Sequence, residues 1–361
     1  MSVEFERVDP TRVRDDVVEF FWEQRHSWPG ETRDDYYDVW DWRYTALSEG
    51  PPIVYVARSR ENGALIGHIA VYRRHFRFGD ANFVVGVPGD LLVHPRWQNN
   101  IVGVRLAMFV RSLVQKGEID AVIAFGNEIA DAMFIRFGFT SLGVMRTYID
   151  LRDTKPLLGR RHRALTMLAP VLNRALAVRR RLRGLPHGKQ LPRLRARQIT
   201  PDEFLELDRS HWHPPSRLVT SDTSRFVVRR YLTWPRGNYA PRCIYGLFDS
   251  ETGLLEAYVV AEQAVRIKVW DCQVNSSVLD PPSAITAMAS IWPNTGTVLV
   301  PTLPQSLLAT ELVRAGFLDR ESEDYAEAST HVSVYTKPGN EHAGLLGDPR
   351  QWNLWIGARH Y

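Results

Sequence analysis

Cysteine is nearly missing from this 361-residue chain: Cys243 and Cys272 are the only two, and they form no CxxC pair. That excludes a disulfide-stapled scaffold and a cysteine-rich zinc site, and both residues read as ordinary buried thiols. Missing too is any apolar run of about 18 residues, the length a membrane-spanning helix requires. The opening residues, MSVEFERVDPTRVRDD, have neither the basic start nor the apolar stretch of a secretory leader, so a cytoplasmic protein is expected. His211 and His213 stand two apart with no third ligand near in sequence, and no metal is expected. No nucleophilic Ser-His-Asp or cysteine set can be read from spacing.

What is present is ordinary globular material, 44% hydrophobic and 24% charged, in a chain long enough for two domains. The net charge of +4 hides an uneven distribution. Between Leu151 and Arg197 there are fourteen Lys or Arg and one acid, Asp153, so this stretch carries +13 and the remainder −9. The stretch is bounded by Pro, Gly and Arg and reads as a linker, 153–197, between an N-terminal domain, 1–152, and a C-terminal domain, 198–340, with a tail, 341–361. Leu165, Leu168, Leu172, Leu176 and Leu182 recur there at helical spacing, beside Arg174, Arg179, Arg180, Arg181 and Arg183, and Pro170 starts or kinks the helix. Such a helix either packs its leucines on the two domains or lies on anionic lipid, an acidic partner or, with least support, nucleic acid.

The regions flanking the linker share three landmarks in one order. Trp42, Arg43 and Tyr44 are echoed by Arg229, Arg230 and Tyr231; YVARSRENGALIGHIAV from Tyr55 by YGLFDSETGLLEAYVV from Tyr245; and FIRFGF ending at Phe139 by LVRAGF ending at Phe317. Offsets of 187, 190 and 178 residues describe a degenerate duplication of one α/β fold. In the first copy, two strands meet at a turn containing Asn62 and Gly63, a hairpin signal. A third strand, FVVGVPGDLLVHP, precedes a helix closed by Gly117. A short strand, DAVIAFG, and a second helix follow, and this order implies parallel pairing with a right-handed crossover.

Residues Val93–Gly103, VHPRWQNNIVG, and Asn127–Phe139, NEIADAMFIRFGF, carry a family likeness. They resemble the two motifs of the GNAT-type N-acetyltransferase superfamily, V-x-P-x-x-R-G-x-G-I-G and N-x-x-A-x-x-x-Y-x-x-x-G-F. The resemblance covers about 130 N-terminal residues and implies two tandem GNAT-like folds of mixed α/β type. It implies further that Leu91, Leu92 and Val93 lie on a splayed strand whose backbone pairs with the pantetheine arm of acetyl-CoA or another acyl-CoA. Gln98, Asn99, Asn100, Ile101, Val102, Gly103 and Val104 would then form the pyrophosphate turn, where free amides and the helix dipole favour phosphate. Asn127 stands at a cofactor-contacting position.

Two departures touch this site. A glycine of the usual turn is Ile101, the usual arginine is Gln98, and Asn99 and Asn100 replace a small and a basic residue. β-Branched Ile101 is a poor substitute where positive φ is required. Phe134 occupies the position of the tyrosine that protonates the departing thiolate, and it has no proton to give. Asp90, immediately before the cofactor strand, is the candidate base for the acceptor amine, or else a strand-end aspartate bound to local backbone. Tyr37, Trp40, Trp42 and Tyr44 are candidate stacking residues for an acceptor, or else a core anchor repeated in both halves. At the equivalent point of the second copy, Val274–Pro282 has no glycine and two prolines. That copy reads as a degenerate domain that walls the acceptor cleft or presents a partner surface.

The expected function is acyl transfer from acyl-CoA to an amine of a small molecule or glycan. The basic linker and the tail GDPRQWNLWIGARHY fit work at the inner membrane surface, as in cell-surface polysaccharide metabolism, with contact through the Arg174–Arg183 helix. Two alternatives stand beside it: a tRNA-dependent aminoacyl transferase of the peptidoglycan-bridge type, favoured by the linker charge, and a noncatalytic CoA-binding or scaffold protein, favoured by Ile101 and Phe134.

Overall fold

The structure is a computed structural model that describes residues 2–24, 28–45, 50–98, 101–155, 163–182, 193–233, 241–263, 266–292, 296–320 and 330–355. The first half opens with β1 (Val3–Val8), α1 (Arg14–Glu23) and α2 (Arg33–Trp40), followed by the meander β2 (Ile53–Ser59), β3 (Leu65–Phe78) and β4 (Ala81–Val93). Then come α3 (Val102–Gln115), β5 (Ala121–Gly126), α4 (Glu128–Arg136), β6 (Thr140–Val144) and β7 (Arg146–Leu151). The β2–β3 hairpin turns where Asn62 and Gly63 predict it, with Gly63 at φ +70°.

Strand alternation decides which face each helix covers. Tyr55, Ala57, Ile69 and Val71 point to one side and bury the apolar stripe of α3, formed by Val102, Leu106, Val110 and Leu113. Val54, Val56, Ala70 and Tyr72 point to the other and are covered by α1 and α2 through Val17, Phe21, Tyr36 and Trp40.

The second half repeats this plan with β8 (Leu194–Ile199), β9 (Val219–Thr220), β10 (Arg242–Asp249), β11 (Leu255–Gln263), β12 (Ile267–Val274), β13 (Thr297–Thr302), β14 (Leu318–Arg320) and β15 (His331–Thr336). The echo at an offset of 190 is a true structural register: Tyr55 pairs with Ile69 and Tyr245 with Val259. One mixed sheet has the order β1-β2-β3-β4-β5-β15-β6, with β9 on β3, and the other β14-β7-β13-β12-β11-β10-β8.

These orders cross the boundaries expected from sequence. β7 belongs to the first half but lies against β13 and β14, while β15 comes from the second half and lies between β5 and β6. Each sheet is thus completed by a strand of the other half, an exchange of equivalent elements. A shared core follows, joining Phe76, Phe83 and Val85 to Val227, Tyr231 and Trp270. The tail is part of it: Trp352 packs on Phe76 at 5.1 Å, and Trp352, Leu354 and Trp355 are buried, so the described part of the tail is core and not a membrane-facing segment.

In the linker, a helix spans Ala169–Leu182, with Pro170 in its first turn. It docks through Asn173, which accepts from Thr154 and donates to Asp153. Met167, Leu168, Val171, Leu172 and Val178 are exposed, so these leucines do not pack on the domains as one reading expects. The side chains of Leu165, Arg179, Arg180, Arg181 and Leu182, and all of Arg183, lie outside the described residues. No helix among the described residues is long and apolar enough to cross a membrane.

Candidate active site

β4 and β5 pair in parallel at only two positions, Val85 with Ala121 and Gly86 with Val122. Beyond these the strands part. On its other side β4 remains bonded to β3 as far as Val93, which pairs with Gly67, and β5 is bonded to β15. The edge of Leu91, Leu92 and Val93 that faces β5 is therefore free of strand partners, an open edge able to take an extended polar chain.

The next element closes one end of this opening. Pro95–Trp97 forms a single 3₁₀ turn, Gln98 donates its side-chain amide to Val93 O at 3.1 Å, and α3 begins at Val102. Ile101 sits at φ −64°, in the ordinary right-handed region, so its branched side chain meets none of the backbone strain expected from the missing glycine; it is 57% exposed. Among the described residues no side chain caps α3, and no acid lies in its first turn. Among the described residues the N–H groups of Val102, Gly103 and Val104 have no acceptor. A methyl added at Gly103 would touch only Val93 Cγ2, at 3.6 Å. Donors without an acceptor among the described residues, no competing carboxylate there and open space over a glycine suit a phosphate group. Asn99 and Asn100 lie outside the described residues.

A bulge in β4 underlies the splay. His68 pairs with Leu92 but Ala70 with Gly89, so Asp90 and Leu91 together face Ile69. Asp90 has φ +53°, the one positive value at a non-glycine residue among those described. Its carbonyl is 2.9 Å from His68 Nδ1. Its carboxylate is enclosed by other side chains. It is 3% exposed and accepts from Trp28 Nε1 (2.9 Å), Arg43 (2.5 Å), Tyr44 (2.9 Å) and Tyr72. Burial, and then the Asp90 charge, hold the Tyr44 and Tyr72 hydroxyls well above the ordinary phenol range, so both remain donors. With both oxygens engaged twice, this group has little capacity left to take an amine proton.

The remaining predicted residues disperse. Asn127 is exposed and caps α4 by accepting from Ala130 N at 2.9 Å. Phe134 is buried against Phe139, ring centroids 4.8 Å apart. Trp40 and Tyr44 are buried and stacked on each other at 3.7 Å, which removes their faces from any ligand. Trp42 is buried and donates to Arg229 O at 3.0 Å, linking the two copies of its own motif. Tyr37 alone of the four is partly exposed, with its hydroxyl on Glu19. The buried rings of Trp40, Trp42 and Tyr44 fit the core-anchor reading. Sequence reasoning did not find Trp28, His68 and Tyr72, because they meet Asp90 only through the fold. Among the described residues no three His, Cys, Asp or Glu side chains converge in a way that could hold a metal ion.

The second copy keeps the splay and closes the helix. β12 and β13 pair only at Ile267–Val298 and Lys268–Leu299. The helix that follows, Pro281–Met288, starts with two prolines, which have no N–H. Asp280 occupies its next donor, Ser283 N at 2.7 Å, and places a carboxylate where a phosphate would sit.

No protein-family model and no curated protein sequence matches the chain. Solved structures do. A probable N-acyltransferase from Enterococcus faecalis superposes with a TM-score of 0.58 at 9% identity, covering 93% of this chain and 72% of that one. GCN5-related N-acetyltransferases from Anabaena variabilis (0.57, 9%, covering 93% and 73%) and Kribbella flavida (0.55, 11%, covering 93% and 72%) are similar to the same extent. At such identities the likeness is one of fold, and the fold is that of the GCN5-related acetyltransferases, here present twice.

Proposed function

We propose that the protein is an acyltransferase whose N-terminal copy binds acetyl-CoA or another acyl-CoA and passes the acyl group to an amine of a small molecule or glycan. The observation that carries this reading is the uncapped start of α3 beside the open edge of β4, set against the proline-blocked, Asp280-capped start of its counterpart. Acyl transfer requires amine attack on a thioester carbonyl, charge on the carbonyl oxygen and departure of a thiolate. In this chain the backbone of Leu91–Val93 holds the extended arm, and the amides of Val102–Val104 hold the phosphates. Asp90 is a positioning residue: tied to Trp28, Arg43, Tyr44 and Tyr72, it fixes the bulge that turns the backbone of Asp90 and Leu91 into the cleft. With phenylalanine at 134, the proton that the attacking amine gives up passes through water to the leaving thiolate, and the absent acid lowers the rate by about 10²–10⁴-fold relative to an assisted reaction.

The same reading sets the helix Ala169–Leu182 on an anionic membrane surface. Its exposed Val171, Leu172 and Val178, with Met167 just before it, enter the lipid boundary while the surrounding arginines meet headgroups. A noncatalytic acyl-CoA binder is the second reading, favoured by the saturated Asp90 carboxylate and by Phe134. A mass-spectrometric assay of acetyl transfer to a panel of small amines and amino sugars separates the two: an acetylated product supports the enzyme, and binding without turnover supports the binder.

A further inference from the structure

Residues of the C-terminal copy, with Arg77 of the first half, line a cavity of about 550 Å³. Gln273 and Val274 of β12 line it, as does Arg77 at the far end of β3. Arg77 lies ten residues along β3 from Gly67, the partner of Val93, so at about 3.3 Å per residue the cavity is roughly 30 Å from the start of α3. The neighbouring helix cannot offer amides to a pyrophosphate, because Pro281 and Pro282 have none and Asp280 fills the next. Something other than a second acyl-CoA fits here.

The charges of the lining do not cancel one another evenly. Arg217 is paired with Glu311 through both oxygens, and Asp222 is spent on fully buried Arg74. Arg77 uses only Nε, on Gly79 O at 2.9 Å. Arg209 uses only one terminal nitrogen, on Asp222 O and Ser224, and is held in place over the ring of Trp212. Two guanidinium groups thus retain donors toward the cavity, against the single carboxylate of Asp280. Asn353, also in the lining, is 5% exposed, and its Oδ1 is buried with no hydrogen-bond partner. That oxygen is closed to solvent and to the cavity, so it recognises no ligand there.

We infer that this cavity is a binding site for a small carboxylic acid. The carboxylate meets Arg77 and Arg209, whose planar forks match it. Trp212 supplies an apolar wall, and the volume is that of a small-molecule pocket. The inference does not depend on acyl transfer by the first copy. Titration calorimetry of the full chain with sodium L-glutamate and with sodium L-malate tests it. Binding of either probe is expected, weakened at least about tenfold by Arg77→Gln. The same weakening is expected from Ser276→Trp, which fills the cavity from an exposed turn, and none from Gly103→Pro. No heat with either probe at about 10 mM, unchanged affinity in both cavity variants, or loss of binding in Gly103→Pro would overturn it.

Discussion

Asparagine at position 90 separates two roles for this residue. Asp90→Asn keeps the shape of the side chain and tolerates φ +53°, so the backbone of the bulge is not itself penalised. What it removes is the charge with which Arg43, only 2% exposed, is paired. Breaking a buried pair by deleting one partner costs about 3–5 kcal/mol. Unfolding entropy of about 2.1 cal/mol/K per residue over 361 residues is about 0.76 kcal/mol/K, so Tm falls by roughly 4–7 °C. A positioning residue therefore shows itself twice: in calorimetric melting, and in weaker acetyl-CoA binding as the bulge loosens. A base would show itself differently, through a kcat lowered about 10²–10⁴-fold with Tm within about 1 °C of wild type. That second pattern would refute the anchoring argument.

Three further outcomes follow from the same geometry. A fragment ending at Asp153 should not fold, since β5 and β6 would lack β15 while β7 would lack its sheet; a cooperative melt from this fragment would contradict the strand exchange. Asp271 is buried, its Oδ1 has no partner, and desolvation followed by the Asp222 charge raises its pKa to about 7. The folded state then binds its proton more tightly than the unfolded chain does, so stability falls as pH rises from about 4 to about 7. Asp271→Asn should raise Tm more at pH 8 than at pH 5, and equal gains at both would refute this sign. Finally, the chain should sediment with acidic lipid vesicles, and Arg179, Arg180, Arg181 and Arg183 changed together to Gln should release it, at about 1 kcal/mol per residue; no sedimentation of wild type would end the membrane reading.

Local and repeated features were legible in the sequence. The Asn62-Gly63 hairpin, the alternation of β2 and β3, and the duplication seen in Tyr55 and Tyr245 each rest on short-range chemistry, and the structure repeats them residue for residue. The exchange of β7 and β15 was not legible, because the two strands are equivalent and either sheet satisfies the pattern of either one; only long-range pairing distinguishes them. Aromatic richness around Trp40 and Tyr44 suggested a ligand surface, whereas those rings stack on each other above a buried carboxylate. Asp90 itself was singled out by its place before the cofactor strand, but its partners at 28, 43, 44 and 72 are gathered by packing, which spacing does not reveal. Ile101 was judged by a conformation that the turn does not adopt.

The central claim is that acyl-CoA phosphates bind the backbone amides at the start of α3, and Gly103→Pro addresses it most directly. Proline is tolerated in the first turn of a helix, and the C-terminal counterpart already starts with two. The change removes one donor and fills the open space beside Val93 without touching the core. Losing a hydrogen bond to a charged group costs about 1.5–3 kcal/mol, about ten- to hundredfold in affinity. In titration calorimetry with acetyl-CoA, wild type should bind and Gly103→Pro should bind at least about tenfold more weakly at unchanged Tm. Equal affinity in the two proteins, or no binding by wild type, would contradict the account.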